Sequence, residues 1–272
     1  MKSKFHLLFI CLSSTVLFGF STQKDLCVEI KDRKNLPPKI YESLKNYNVL
    51  LIGELHGNNE TPEFVEGVVN LMHQNGQKVL LGLEINADIQ MDIDSFLNTG
   101  NFQIIEQSKF FNRQTKFGVS SIAYANLIKS CYKKGNVKIV CYDTRERSSN
   151  RDSTMAINLV KALNANPAWK LLTLSGDVHN KLLQQHHQVP MGYYLSNMLR
   201  TESIASIDVI YESGSSWCCT QISDELDCGP HDVGSSAGDL AKKYSFDNFF
   251  AVSGDKNYFF TRKITASQPL NK

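Results

Sequence analysis

Four near-continuous apolar runs recur along this chain, each about one strand long: NYNVLLIG (46–53), KVLLGLEI (78–85), VKIVCYD (137–143) and WKLLTLSG (169–176). A strand that is apolar on both sides of its pleat must be covered on both faces, the mark of a parallel sheet packed between helices. The intervening segments read as those helices. Over 61–75, Thr61 is placed to cap and Pro62 takes the first helical position. Phe64, Val65, Val68, Leu71 and Met72 follow as one stripe at helical spacing. Further helices are predicted around 87–98, over 120–134 with Gly135 ending a basic last turn, within RDSTMAINLVKALNAN, and near 192–200. After that the pattern changes to strand-like runs at 203–212, 216–222, 247–253 and 257–265 between Gly-rich turns. The expected fold class is α/β, with a mainly parallel central sheet flanked by helices and antiparallel strands added in the C-terminal third.

The first 21 residues stand apart. Lys2 and Lys4 precede an uncharged apolar run from Phe5 to Phe20, and Gly19 and Ser21 are small residues suited to a cleavage site. The run is shorter than the roughly 20 residues of a membrane span. We read 1–21 as a secretory signal peptide and 22–272 as a single α/β domain, exported to the periplasm or outside the cell. Cys11 follows Ile10 rather than a small residue, which does not suit lipid attachment. No later segment reads as transmembrane. Removing Lys2 and Lys4 takes the formal charge from +2 to 0, which argues against nucleic acid as a partner. Six cysteines remain in the exported part, and an even number there permits disulfides. Cys228 with Cys218 or Cys219 closes a short loop. Cys131 and Cys141 suit either a bridge or a buried apolar role.

In open parallel sheets ligands bind beyond the carboxyl ends of the strands. Each apolar run ends in a titratable group there: Glu54 and His56 after the first, Glu84 at the second, Asp143 at the third, Asp177 and His179 after the fourth. The pattern G-x-x-H occurs at both 53–56 and 176–179. Two roles fit these residues. His56 and His179 with Glu60 and Glu84 form a set able to hold a divalent metal. Alternatively, His56 takes a proton from water while Glu54 or Glu84 orients its ring. Glu60 also suits a helix N-terminus and Asp143 a turn cap. Arg145, Arg147, Arg151 and Asp152 follow the third strand. Of these, Arg151 is the one expected to stabilise developing negative charge, while Asp152 and Ser153 are equally placed as helix caps. Tyr193 and Tyr194 suit either a pocket or the core. His73, His186, His187 and His231 read as ordinary surface or core residues.

Glu54, His56, Gly57 and Glu60, then Glu84, RDSTMAIN, Gly176 to His179 and PMG resemble the superfamily joining erythromycin esterases, ChaN-like haem-binding proteins and Tiki/TraB-type proteins. The resemblance runs from about residue 46 to 200. RD-x-x-MA-x-N and the Glu four residues after His56 are most similar to the esterases, which implies a His held to activate water on an ester. The paired G-x-x-H motifs are similar to the Tiki group, which implies metal-dependent proteolysis. Length, the G-E-x-H form and the export signal are similar to ChaN-like proteins, which implies haem or iron uptake with His56, His179 or Tyr193 as a ligand. The expected partner is accordingly a small-molecule substrate or haem. The catalytic set carried forward is His56, Glu54, Glu84, His179 and Arg151.

Overall fold

The computed structural model describes residues 25–112, 118–144, 150–184, 188–199, 203–222 and 225–271. The signal-peptide reading, Arg145, Arg147, His186 and His187 lie outside the described residues. In chain order the elements are β1 (Leu26–Glu29), α1 (Pro38–Leu44), β2 (Val49–Glu54), α2 (Glu60–Gln74), β3 (Val79–Asn86), α3 (Gln90–Thr99), α4 (Gln103–Gln107) and α5 (Ile122–Ser130). They continue with β4 (Val137–Asp143), α6 (Arg151–Asn164), β5 (Lys170–Gly176), α7 (Met191–Met198), β6 (Ile204–Ile222), β7 (Glu225–Asp232), α8 (Leu240–Lys243), β8 (Asn248–Ser253) and β9 (Lys256–Ile264).

All nine strands join one sheet in the order β1-β8-β9-β6-β2-β5-β3-β4, with β7 paired to β6 alone. The four apolar runs are the adjacent parallel strands β2, β5, β3 and β4. Their continuous apolarity serves two layers. On β2, Leu50 and Ile52 pack with Phe64, Val65 and Val68 of α2. Val49 and Leu51 on the other face pack with Met155, Ala156 and Leu159 of α6 and with Leu195 of α7. This sandwich is the α/β class expected from the sequence. The C-terminal third adds the antiparallel pairs β8–β9, β1–β8 and β6–β7. It also extends the parallel sheet, because β6 runs parallel to both β2 and β9.

Two local readings change and a third, the choice between two cysteine pairings, is resolved. The runs at 203–212 and 216–222 form one 19-residue strand, β6, whose first half pairs with β2 and β9 and whose second half pairs with β7. The sequence SGSS in its middle looks like a turn, but Gly214 carries the strand through with a φ of 131°. Secondly, Thr61 does not cap α2. The helix begins at Glu60, and the Asn58 side chain accepts the Thr61 N–H at 2.7 Å. Thirdly, Cys219 rather than Cys218 is the partner of Cys228, directly across the β6–β7 pair. Cys131 and Cys141 are buried free thiols in the core, with no bridge.

Beyond the sheet, the distal half of β6 folds over the turn that follows β2. The Gly57 carbonyl accepts the N–H groups of Trp217 and Ser267, both at 2.8 Å. Gly57 itself has a φ of 83°, and a Cβ there would overlap the Trp217 carbonyl oxygen. This contact clamps the hairpin β6–β7 against the turn that carries His56. Gly57→Ala should therefore destabilise the fold by about 3–4 kcal/mol, through combined backbone strain and overlap. Gly76 has a similar φ of 71° but nothing near its Cβ position, so Gly76→Ala should cost only about 1 kcal/mol. Equilibrium unfolding of both variants checks this; equal losses would contradict the clamp.

Candidate functional site

The strand ends bring Glu54, Glu84, Asp143 and Gly176 to one edge of the sheet, and the first turn of α6 adds Arg151 and Asp152 from above it. Parity along the strands sends the two glutamates to different layers. Glu54 follows Leu50 and Ile52 toward α5, whereas Glu84 follows Leu80 and Gly82 toward α6. His56, two residues past β2, crosses the strand ends between them.

Its ring is held at both nitrogens. Nδ1 lies 2.9 Å from Glu54 Oε1, and Nε2 lies 3.3 Å from Glu84 Oε2. Glu54 is fully buried and is held in turn by the Tyr124 hydroxyl, which donates to Oε1 at 2.8 Å. Asn58 approaches its Oε2 at 3.4 Å. By contrast the His56 side chain is 31% exposed. Burial pulls its pKa down, but the ionised Glu84 and the hydrogen bonds to Glu54 and Glu84 outweigh this and push it up to about 10. Glu84 responds in the opposite sense: burial raises it, yet the His56 and Arg151 charges hold it well below the usual carboxylate range. Burial raises Glu54 above its ordinary value, against the His56 and Tyr124 hydrogen bonds.

A second unit adjoins the first through Glu84. Arg151 donates from Nε and Nη2 to the two oxygens of Asp143, both at 2.9 Å. Nη2 also donates to Glu84 Oε1 at 2.6 Å, and Nη1 lies 3.0 Å from His179 Nε2. A guanidinium only donates, so His179 Nε2 is the acceptor and its proton sits on Nδ1. That Nδ1 donates to Asp152 Oδ1 at 2.6 Å, and the same oxygen takes the Met191 N–H at 2.7 Å. The Gly176 N–H donates to Glu84 Oε2 at 2.8 Å. Four of the five Arg151 N–H groups thus have partners within the cluster.

These residues floor a cavity of about 800 Å³. The apolar part of its lining comes from Phe110, Val119 and Trp217 with Cys218 and the Cys219 half of the disulfide. Of the residues singled out from sequence, Glu54, His56, Glu84, Arg151 and His179 meet here, and Asp143, Asp152 and Asp177 join them along the cavity. Glu60 does not. It is turned toward Thr265, which gives its N–H to Oε2 at 2.8 Å and its hydroxyl to Oε1 at 2.7 Å. Tyr193 does not line the cavity either; its ring packs edge-on against Tyr194. Tyr124 and Asn58 were missed. Tyr124 lies on the apolar stripe of α5 and reads as core, and no sequence signal marks its hydroxyl.

The donor set for a metal, His56, His179, Glu60 and Glu84, does not fit an ion. Glu60 is elsewhere, His179 Nε2 is taken by Arg151, and both Glu84 oxygens are engaged. Among the described residues no group of His, Cys, Asp and Glu side chains is arranged to take one. Of the three haem ligands expected, Tyr193 is outside the cavity and His179 Nε2 is taken by Arg151, so His56 alone faces it.

No protein-family model matches the chain, and no curated protein matches its sequence. Solved structures do share its fold. A Bacillus cereus protein superposes with a TM-score of 0.61 at 12% identity, over 89% of this chain and 96% of that one. A succinoglycan biosynthesis protein gives a TM-score of 0.61 at 8% identity, over 89% and 95%. A mutant of the erythromycin esterase EreC, in its open conformation, gives 0.54 at 11% identity, over 90% and 98%. The chain therefore has the α/β fold of these proteins. No helix among the described residues is long and apolar enough to cross a membrane.

The pKa directions fix how stability varies with pH. His56 is raised in the folded state, so its contribution is complete below the unfolded value of 6.5 and is lost as pH rises through about 10. Glu84 is depressed, so its contribution is present above the unfolded value of 4.5 and is lost as pH falls below that. Unfolding free energy should thus peak near pH 5–7 and decline on both sides. Tyr124→Phe should cost about 1–3 kcal/mol at neutral pH, because it leaves buried Glu54 with one donor fewer. Denaturant melts across pH check both; stability still rising above pH 8 would contradict the assignment.

Proposed function

We propose that this protein is a hydrolase that activates water directly on an ester or amide, with His56 as the general base. The observation that carries this reading is the Glu54–His56–Glu84 bridge. It puts one half-exposed imidazole on the cavity floor while its anchoring carboxylates stay buried. Glu54 fixes the ring through Nδ1, and Nε2, which faces Glu84 at 3.3 Å on the cavity side, acts as a base only once it has lost its own proton at alkaline pH. Water attacking a substrate carbonyl gives its proton to Nε2, and the imidazolium returns it to the departing alkoxide or amine. Glu84 and Glu54 stabilise that imidazolium. Arg151 lies in the cavity lining with one N–H not taken by the Glu84, Asp143 and His179 cluster, and favours the developing oxyanion. His179, with its lone pair given to Arg151, positions that guanidinium rather than reacting. The fold shared with an erythromycin esterase is compatible with this chemistry, and the apolar wall of Phe110, Val119 and Trp217 suits a substrate with a hydrophobic body. We further propose that residues 22–272 act as one domain after export. A Cys219–Cys228 bridge accords with an oxidising compartment.

His56→Ala should lower turnover of a reactive acyl ester, such as a p-nitrophenyl ester in a chain-length series, by about 10²–10⁴-fold. Circular dichroism should report an unchanged fold. The wild-type rate should climb toward alkaline pH, because the base form of His56 accumulates only as pH rises through about 10. Undiminished turnover in the folded variant would overturn the hydrolase reading.

A further inference from the structure

Arg151 sits at the centre of a cluster of metal-ligating side chains that the guanidinium holds apart. Glu84 Oε1, both oxygens of Asp143 and His179 Nε2 converge on its guanidinium at 2.6–3.0 Å. Two carboxylates and an imidazole lone pair are the donors that hold a divalent ion. The support behind them also matches such a site. His179 presents Nε2 because its Nδ1–H is tied to Asp152, and Asp152 is tied to the Met191 N–H. Glu84 and Asp152 are mostly buried, as is the His179 ring. The one cation at the centre is covalent to the chain, delivered by the first residue of α6.

We propose that Arg151 is a resident cation that excludes divalent metal from this cluster, and that removing its side chain opens Glu84, Asp143 and His179 to a metal ion. The guanidinium is larger than an ion, so truncating it leaves a gap beside Asp143, which loses its counter-charge, and Glu84, which keeps only that of His56. An unpaired buried charge is strongly unfavourable, and any small cation that enters offsets it. The proposal concerns the pocket of the hydrolase reading and deepens its metal-free mechanism. It is measured by metal content rather than turnover, so each fails separately.

The experiment titrates wild-type protein, Arg151→Ala and Arg151→Ala/His179→Ala with Zn²⁺ and with Mn²⁺ by calorimetry, followed by elemental analysis after desalting. Wild type should hold no stoichiometric metal, Arg151→Ala should take up one ion per chain, and the double variant should bind at least tenfold more weakly. Methylguanidinium should raise the melting temperature of Arg151→Ala and compete with the metal. If Arg151→Ala does not fold alone, either cation should restore folding. One ion per wild-type chain, lost in His179→Ala, would overturn the proposal. So would a truncated variant that responds to neither metal nor methylguanidinium, whether folded or not.

Discussion

The carboxylate of Glu84 joins the two halves of this site. One oxygen takes an Arg151 N–H at 2.6 Å; the other takes the Gly176 N–H at 2.8 Å and faces His56 Nε2. It is 6% exposed, so water contributes little to holding its charge. Its ionised state is sustained by two cations and a backbone donor. Those cations are in turn kept charged by carboxylates, Glu54 beside His56 and Asp143 beside Arg151. Breaking a buried pair by removing one member typically costs about 3–5 kcal/mol, because it strands the other. The site is therefore a closed chain of compensated charges, in which each ionisable group is fixed by its neighbours.

The fold builds this chain from opposite sides of one sheet. Glu54 and Tyr124 meet on the layer of α2 and α5, while Glu84, Arg151 and Asp152 meet on the layer of α6 and α7. The turn after β2 passes over the strand ends and carries His56 across. That turn is held by the distal arm of β6 through the paired hydrogen bonds to the Gly57 carbonyl. The same arm presents Trp217 and Cys218 to the cavity. One hairpin, stapled by Cys219–Cys228, thus both positions the imidazole and supplies part of the cavity's apolar lining.

The parallel sheet and the strand-end residues were legible because strand apolarity and strand polarity have local causes. A run buried on both faces reads as such, and a carboxylate directly after it stands out. Glu54, His56, Glu84 and His179 lie together at the strand ends, as that reasoning expects. What sequence does not carry is the direction of a side chain near a helix start. Glu60 lies four residues from His56, yet it turns to Thr265, 205 residues away. Arg151 was singled out, but how many of its N–H groups are already committed was not legible, because its partners Glu84, Asp143 and His179 are scattered along the chain. Tyr124 was invisible for a different reason: an aromatic residue on an apolar stripe has the same signature whether its hydroxyl is used or not. The long β6 was divided in two because SGSS resembles a turn, and only pairing with β7 and β9 keeps it extended.

The central claim is that two buried carboxylates hold His56 as a cation well above its ordinary range. Nitrogen-15 NMR of the His56 ring across pH, assigned by comparison with His56→Ala, tests it directly. The account predicts that both ring nitrogens keep imidazolium shifts through neutral pH and titrate near pH 10. A ring that loses its proton near pH 6.5 would contradict it, since neither Glu54 nor Glu84 would then be holding the charge.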